Sequence, residues 1–196
     1  MTSSHGRTTV SRRTALTGLG AGGLAVALGT RSVQGQGALS TANHPLTGMW
    51  LAMANPANAQ NPPFAAPSLF AADGTVVLSF IPADIGMDDK LLFQGSPMGV
   101  WEPYDERTGH FTAVQALADA TGKLVGSVTI DGHPKVSEDG LTFIDDGSLV
   151  TITIRDAAGK VVTVVPPGTP GRPVTATKMR VGNAGFPGDE MATPTP

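Results

Sequence analysis

Histidine chemistry is the first thing to test in this sequence, because imidazole serves as acid, base and metal ligand near neutral pH. Three histidines, His44, His110 and His133, follow the first forty residues. None has the short spacing of a zinc-binding helix or of a His-x-His strand, so the sequence predicts no metal site and no cofactor. His133 precedes a proline in a predicted turn and is interpreted as a solvated side chain.

His110 is the best acid/base candidate in the chain. It opens an aromatic strand beside Phe111 and follows the carboxylates Glu102, Asp105 and Glu106. A histidine with such neighbours can exchange protons near neutral pH. The alternative is an ordinary histidine at the edge of a hairpin, and the sequence leaves both interpretations open.

Two pairs of adjacent aspartates, Asp88-Asp89 and Asp145-Asp146, lie beside predicted glycine turns. Aspartates in turns more often accept hydrogen bonds from backbone N–H groups than act as general acids. A calcium site there would lack a loop motif. The sequence also has no nucleophile elbow, phosphate loop or dinucleotide fingerprint, so it gives no starting point for a hydrolase, a kinase or a nicotinamide enzyme.

Residues around one short predicted loop form the candidate ligand site. Trp101 and Tyr104 precede residues 105–109, and His110 and Phe111 follow them. Cross-strand neighbours in an antiparallel hairpin lie about 5 Å apart at Cβ, so these four residues are predicted to cluster and to line a binding wall. Which of them faces inward depends on the register, because a slip of one residue exchanges the two faces.

The elements that position these residues are predicted to be short antiparallel strands. Apolar runs separated by turn pairs such as Asp73-Gly74 indicate hairpins. Residues 124–131 and 150–155 alternate between apolar and polar side chains, which indicates one buried face. Eight or nine strands are predicted, near residues 47–54, 74–81, 98–104, 110–118, 123–131, 141–144, 148–155, 160–165 and 174–181.

Two segments between these strands are expected to differ from the pattern. A short helical turn is predicted in residues 83–94, where Asp84 can cap and Met87 and Leu91 have helical spacing. Residues 55–67 contain four prolines and are predicted to be a long irregular loop at a barrel mouth.

The fold class predicted from this organisation is all-β. No 10- to 15-residue helical pattern intervenes, which disfavours parallel βαβ folds and leaves an antiparallel barrel or, alternatively, a small β-sandwich. The barrel domain is predicted to span residues 43–182. Residues 183–196 lack periodicity and are predicted to be a disordered tail.

Composition agrees with one small domain. The chain has 196 residues, of which 40% are hydrophobic, and it has no cysteine and therefore no disulfide or thiolate chemistry. Four of the thirteen basic residues precede residue 43, whereas all sixteen acidic residues follow residue 72. An acidic body without a basic run makes nucleic acid and anionic membranes poor partners.

Residues 1–42 have the layout of an export signal and linker, with a polar stretch followed by an uncharged glycine-rich run. They resemble a twin-arginine signal peptide, because Ser11, Arg12, Arg13 and Leu16 match its motif. The resemblance implies the twin-arginine translocase as partner and a secreted or periplasmic protein, with no stable membrane span after processing. The alternatives are an ordinary secretory signal and an uncleaved anchor.

The first and last predicted strands carry a second resemblance. Gly48-Met49-Trp50 opens the first strand and Arg180 lies in the last, which resembles the lipocalin and wider calycin pattern. In that pattern an arginine on the final strand lies across the tryptophan at the closed end of the barrel. The resemblance implies a calycin-like barrel with Trp50 and Arg180 as a structural pair.

Three functions stay open on this basis. The first is an exported small β-barrel that binds a small apolar or aromatic ligand through Trp101, Tyr104, His110 and Phe111. The second is a cyclase or isomerase on a barrel that resembles allene oxide cyclases and dirigent-type proteins, where His110, Tyr104 or Glu102 assists. The third is a non-catalytic structural or interaction protein. Eight strands enclose room for side chains or one small ligand, so the interior distinguishes these functions.

Overall fold

The computed structural model describes residues 39–55, 62–86, 90–169 and 173–186. Every described residue belongs to one compact unit. The predictions for the leader, for Asp88-Asp89 and for the last ten residues therefore lie outside the described residues.

Antiparallel strands make up the described chain, because alternating side chains and glycine turns recur along it. One 3₁₀ turn, Thr41–Asn43, precedes the strands in these residues. The strands in chain order are β1 (Gly48–Ala54), β2 (Phe64–Phe70), β3 (Thr75–Leu78), β4 (Ala83–Ile85), β5 (Leu91–Gln94), β6 (Met98–Pro103), β7 (Gly109–Ala118), β8 (Leu124–Gly132), β9 (Lys135–Val136), β10 (Thr142–Asp145), β11 (Thr151–Asp156), β12 (Val161–Val165) and β13 (Val174–Lys178).

These strands belong to one curled antiparallel sheet that forms a half-barrel. The order across the sheet is β12-β11-β8-β7-β6-β3-β2-β1-β13-β10-β9. The β4–β5 hairpin lies off this path and joins the sheet where β5 pairs with the end of β7. The first and last long strands of the domain, β1 and β13, are therefore neighbours, as they are in a barrel.

The β7–β8 hairpin contains an irregularity that sets the register of the residues around His110. Ala118 pairs with Leu124 next to the turn, but Leu117 pairs with Gly126 one step further on. Val125 is therefore an extra residue in a β-bulge. From Leu117 back to Phe111, each residue of β7 therefore pairs with a residue of β8 that is one position later than in a hairpin without the bulge.

β9 follows β8 in the chain and is the last strand in the sheet order. Hydrogen bonds connect it and the residue before it to the β6–β7 hairpin. The N–H of Gly109 donates to the carbonyl of Pro134 at 3.0 Å, and the N–H of Val136 donates to the carbonyl of Arg107 at 2.9 Å. β9 pairs with β10 on its other side. β11 and β12, by contrast, extend the sheet outward from β8.

Aromatic side chains fill the inner face at this end of the sheet. The ring of Phe70 lies 5.8 Å from Trp101, 5.9 Å from Phe111 and 6.3 Å from Phe143, each in an edge-to-face contact. Trp50 contacts Phe143 in the same way at 5.1 Å. Such pairs contribute about 0.5–1.5 kcal/mol each beyond area burial, so this end of the interior is a packed core.

The segment before β1 closes the same end. Leu46 is fully buried, and its carbonyl accepts the indole N–H of Trp50 at 2.7 Å. A Cβ on Gly109 would stand 2.3 Å from Leu46 Cδ2, so β7 begins with glycine because Leu46 takes that space. His44 accepts the N–H of Leu46 at Nδ1, which leaves its Nε2 to donate to the carbonyl of Asp105. His44 therefore has a structural role.

The all-β antiparallel prediction is confirmed, and each of the nine predicted segments overlaps a strand. The helical turn predicted in residues 83–94 is wrong, because Ala83 pairs with Phe93 in the β4–β5 hairpin. Phe93 also pairs with Ala118 of β7. Pairing with a distant strand therefore outweighs a short helical spacing here.

The loop predicted in residues 55–67 extends too far along the chain, because β2 begins at Phe64. Alternate residues of β2, namely Ala66, Ser68 and Phe70, are buried against the core. Pro67 lies within the strand opposite Leu51, and its carbonyl accepts the N–H of Ser79. The prolines in this segment led to the prediction of a loop, although the strand has a regular alternation of buried and half-buried residues.

Candidate metal site on the outer face of the sheet

The four residues predicted to form one ligand site lie on two opposite faces of the sheet. Trp101 and Phe111 are cross-strand partners and point into the core, where 4% and 8% of their surfaces are exposed. His110 is half-buried on the outer face, and Tyr104 is exposed and contacts the His133 ring. The register pairs Trp101 with Phe111 but sets Glu102, not Tyr104, opposite His110, so it does not place all four residues around one cavity.

The predicted pair of Trp50 and Arg180 is replaced by a different cation. Trp50 pairs with Lys178 across β1 and β13, and the Lys178 ammonium lies 5.0 Å from the centre of the indole ring. Burial, followed by the charge of Arg180, holds the pKa of Lys178 below its ordinary value. Arg180 itself is exposed beyond the end of β13.

His110 and His133 stack on the outer face. The register that pairs Phe111 with Gly132 and bonds Gly109 to Pro134 places the two histidines opposite each other. Their rings are nearly parallel, with an interplanar angle of 7° and centroids 4.4 Å apart. Two strands thus present two imidazoles side by side.

Asp131 completes the cluster from the position two residues before His133 on the same face. Its Oδ1 lies 3.1 Å from His110 Nε2, and its Oδ2 accepts the hydroxyl of Thr112 at 2.7 Å. Thr112 pairs with Asp131 across β7 and β8. The carboxylate is therefore held between two side chains of the neighbouring strand.

His133 has a nitrogen without a partner. Its Nδ1 is buried and makes no hydrogen bond in the described part of the protein. Burial and the charge of nearby His110 lower the pKa of His133, which favours a neutral imidazole near neutral pH. A neutral ring offers the lone pair that a metal ion requires.

The backbone of His133 is anchored from the inner side. Its N–H donates to Oδ2 of Asp145 at 2.8 Å, and Oδ1 of the same carboxylate accepts the N–H of Gly147. Asp145 is buried, and burial raises the pKa of its carboxyl group. The predicted turn pair Asp145-Asp146 thus includes one carboxylate that positions the chain beneath the histidines.

Glu102 and Tyr104 flank the histidine pair. Glu102 is the cross-strand partner of His110, and its Oε1 lies 3.9 Å from His110 Nδ1. The Tyr104 ring meets His133 edge to face at 5.3 Å. Nε2 of His110 therefore meets the Asp131 carboxylate at hydrogen-bond distance, whereas the exposed Glu102 lies beyond that distance from Nδ1.

Two histidines and one carboxylate form a ligand set that transition metals favour. One ligand atom from each of His110, Asp131 and His133 lies within 4.8 Å of the other two. Nitrogen and oxygen ligands of one tetrahedral ion are roughly 3.3 Å apart when the bonds are about 2.0 Å long. The 3.1 Å between His110 Nε2 and Asp131 Oδ1 fits this spacing, whereas the stacked His133 ring would have to reorient so that its lone pair meets that of His110 at one ion.

The prediction of no metal site rested on spacing along the chain, and that spacing misses ligands on two strands. The Asp131-x-His133 spacing at the end of β8 was the local signal, because residues two apart in an extended chain share a face. It became a three-residue set only once the register brought His110 opposite.

Comparisons with known proteins found no relative of this chain. Neither a family model, nor a curated protein, nor a solved structure matches the chain. Among the described residues, no helix has the length and apolar character to cross a membrane.

Proposed function

We propose that this protein binds a divalent transition-metal ion through His110, Asp131 and His133. The observation that supports the proposal is that one ligand atom from each of these side chains lies within 4.8 Å of the other two. In addition, Nδ1 of His133 is buried and has no hydrogen-bond partner in the described part of the protein. Buried polar atoms in folded proteins are nearly always hydrogen-bonded, so an unpaired imidazole nitrogen at the edge of a ligand cluster suits a metal bond.

The donor atoms indicate the class of ion. Imidazole nitrogen favours zinc, copper, iron and nickel, whereas calcium and magnesium prefer sites made only of oxygen. Three protein ligands also leave at least one position for water or another ligand. Zinc is therefore the first ion to test.

Calorimetric titration with Zn²⁺ tests the site directly. One ion per chain should bind, and His110→Gln, Asp131→Asn and His133→Gln should each weaken binding by about tenfold or more. Glu106→Gln removes an exposed carboxylate of the neighbouring turn and is the matched control, with unchanged binding. Binding of Co²⁺ should give absorption bands typical of mixed nitrogen and oxygen ligands.

Two results would contradict the metal site. The first is wild-type Zn²⁺ affinity in all three ligand variants, which would place the ion elsewhere. The second is no binding of zinc, cobalt or nickel by a folded protein. The melting temperature of each variant without metal separates lost ligands from lost folding.

Export through the twin-arginine pathway is part of the same proposal. It rests on Arg12 and Arg13 in the leader and on the absence of cysteine, since a chain without disulfides can fold before it leaves the cytoplasm. The core described above forms without an oxidising compartment. A metal ion bound in the cytoplasm would then be exported with the folded chain.

We also infer that the sheet is a variant of the calycin-like barrel. The inference is supported by β9, which is bonded on one side to the segment before β7 and on the other to β10. It is supported as well by a cation on the last strand that covers Trp50 of the first. The hairpin of β11 and β12 would be an extension outside that barrel.

A small apolar or aromatic ligand would need a site other than the residues that the sequence indicates. Trp101 and Phe111 are enclosed by Phe70 and its neighbours. A ligand at those residues would have to displace the core. The cyclase alternative gains no support either, because His110 lies on the outer face of the sheet and does not line an interior pocket.

A further inference from the structure

A groove of about 530 Å³ crosses the sheet beside the metal site. A volume of this size lies within the range of small-molecule sites. Its rim carries Arg107, Lys135 and Glu138, and Gly185 lies at its other side. The outer-face residues that form its floor are Leu51, Met53, Thr142, Ile144, Thr175 and Thr177.

The floor is a regular surface made by four strands. Thr175 pairs with Met53 on β1 and with Ile144 on β10, and Ile144 pairs with Lys135 on β9. Residues paired in this way form one row across β9, β10, β13 and β1. Three strand spacings of about 4.8 Å make this row roughly 14 Å long, with a lysine at one end and a methionine at the other.

The chain after β13 forms a wall of the groove. The N–H of Gly185 donates to Oδ1 of Asn183, and Asn183 pairs with Arg180 in a short bridge. A Cβ on Gly185 would stand 3.3 Å from Thr177, so the backbone lies directly on the threonine. Gly185 has φ of +87°, a conformation that favours glycine.

At the rim of the groove, basic side chains outnumber acidic ones. All sixteen acidic residues of the chain follow residue 72, where only nine basic residues lie. Two cations and one carboxylate nevertheless border the groove. Arg107 makes a single 3.5 Å contact with Glu138, whose side chain is 91% exposed. An exposed pair of this kind is worth little, so an anionic ligand can compete with Glu138 for the arginine.

We propose that this groove binds an amphipathic carboxylic acid, with the carboxylate between Arg107 and Lys135 and the apolar body along Ile144 and Met53. A neutral apolar ligand would leave the two cations unused, and a cationic ligand would be repelled by them. A polyanion would meet the acidic surface beyond the rim. The site is separate from the metal ligands and does not depend on the metal proposal.

Decanoate is a suitable probe, since its chain can lie along the row of floor residues. We expect saturable binding of decanoate to the full chain in calorimetry with a metal chelator present, and weaker or no binding of decan-1-ol and decylamine. Arg107→Gln and Lys135→Gln should each lower the affinity by about fivefold or more, as expected for loss of a charge-assisted hydrogen bond. Lys123→Gln removes an exposed cation of the β7–β8 turn and should leave the affinity unchanged.

Further variants locate the apolar body and separate the two proposals. Ile144→Asn changes a side chain that is 44% exposed, so the fold should persist while decanoate binding falls. His133→Gln should leave decanoate binding as it is even if it abolishes zinc binding. Failure of the groove proposal and failure of the metal proposal therefore give different results.

Four outcomes would overturn the groove proposal. No saturable binding by a folded chain would do so, and so would equal binding of decanol and decanoate. Affinity that survives Arg107→Gln, Lys135→Gln and Ile144→Asn together would place the ligand elsewhere. Binding that appears only after residues 187–196 are deleted, or only when a dimer dissociates, would mean that the chain itself occupies the groove.

Discussion

Lys178 occupies the place above Trp50 that the family pattern assigns to Arg180. Its ammonium donates to the carbonyl of Pro45 at 3.0 Å, so the stem must cross the indole to reach it. Residues two apart along a strand share a face, so the sequence pattern alone could not choose between Lys178 and Arg180. The pairing of Trp50 with Lys178 in the β1–β13 register makes the choice.

Replacement of this lysine measures the contribution of the cation. Lys178→Met keeps most of the apolar stem and removes the charge, and we expect it to lower the free energy of unfolding by about 0.5–2 kcal/mol. Arg180→Met is the matched control and should have almost no effect, because Arg180 is exposed. Urea denaturation of both variants gives the comparison. A larger loss for Arg180→Met would restore the pair that the family pattern implies.

At the scale of elements, aspartates in the turns hold the hairpins. Asp119 is typical, because its Oδ1 accepts the N–H groups of Thr121 and Lys123 and the hydroxyl of Thr121. Hydrogen bonds to the charged form lower the pKa of a carboxyl group. The pKa is below its ordinary value at the turn residues Asp73, Asp105, Asp119, Asp139 and Asp146.

These turns predict loss of stability in acid. Because the pKa in the folded state is lower than the 3.8 of the unfolded chain, the stabilisation is complete above pH 3.8 and is lost as the pH falls through the folded value. Asp119→Asn and Asp139→Asn together should reduce the pH dependence of unfolding below pH 3.8. Glu106→Gln changes an exposed carboxylate that accepts none of the hydrogen bonds described for Asp119, so it should leave that pH dependence unchanged. The same acid slope in the double variant and in the wild type would contradict the assignment.

The pairing of β7 with β8 also determines which side chains lie next to His110. Counting back from the β7–β8 turn without a bulge would set His110 opposite Gly132 and on the face away from Asp131. The extra residue Val125 shifts the pairing by one and brings His110 opposite His133. Without the extra residue of the bulge, His110 would stand alone on its face; with it, His110 joins the other two residues of the candidate metal site.

At the scale of the whole molecule, the proposed export through the twin-arginine pathway is tested by changing Arg12 and Arg13. The basic residues of the leader and the acidic residues of the body are separated along the chain. If the twin-arginine proposal is right, Arg12→Lys with Arg13→Lys should retain the precursor in the cytoplasm, measured by fractionation. An inhibitor of the general secretory pathway should leave export of the wild type unchanged. Export of the double variant at the normal rate would exclude this route.

The sequence by itself determined the fold class and most of the strands. Period-two alternation and glycine turns are local signals, since they depend on residues that are neighbours in the chain. They are strong in the β8 and β11 segments, so those strands were predictable. Local signals were misleading where prolines lay inside β2 and where a short helical spacing coincided with the β4–β5 hairpin.

Only the tertiary structure decided which side chains meet. Trp101 and Tyr104 are close in sequence, yet one enters the core and the other stays exposed beside His133. Lys178 and the three metal-site residues were likewise fixed by registers between distant strands. The physical reason is that the side chains of a strand alternate between two faces, so one bulge or a shift of one residue exchanges the faces. The sequence does not state that register, because it results from packing the whole sheet around its core.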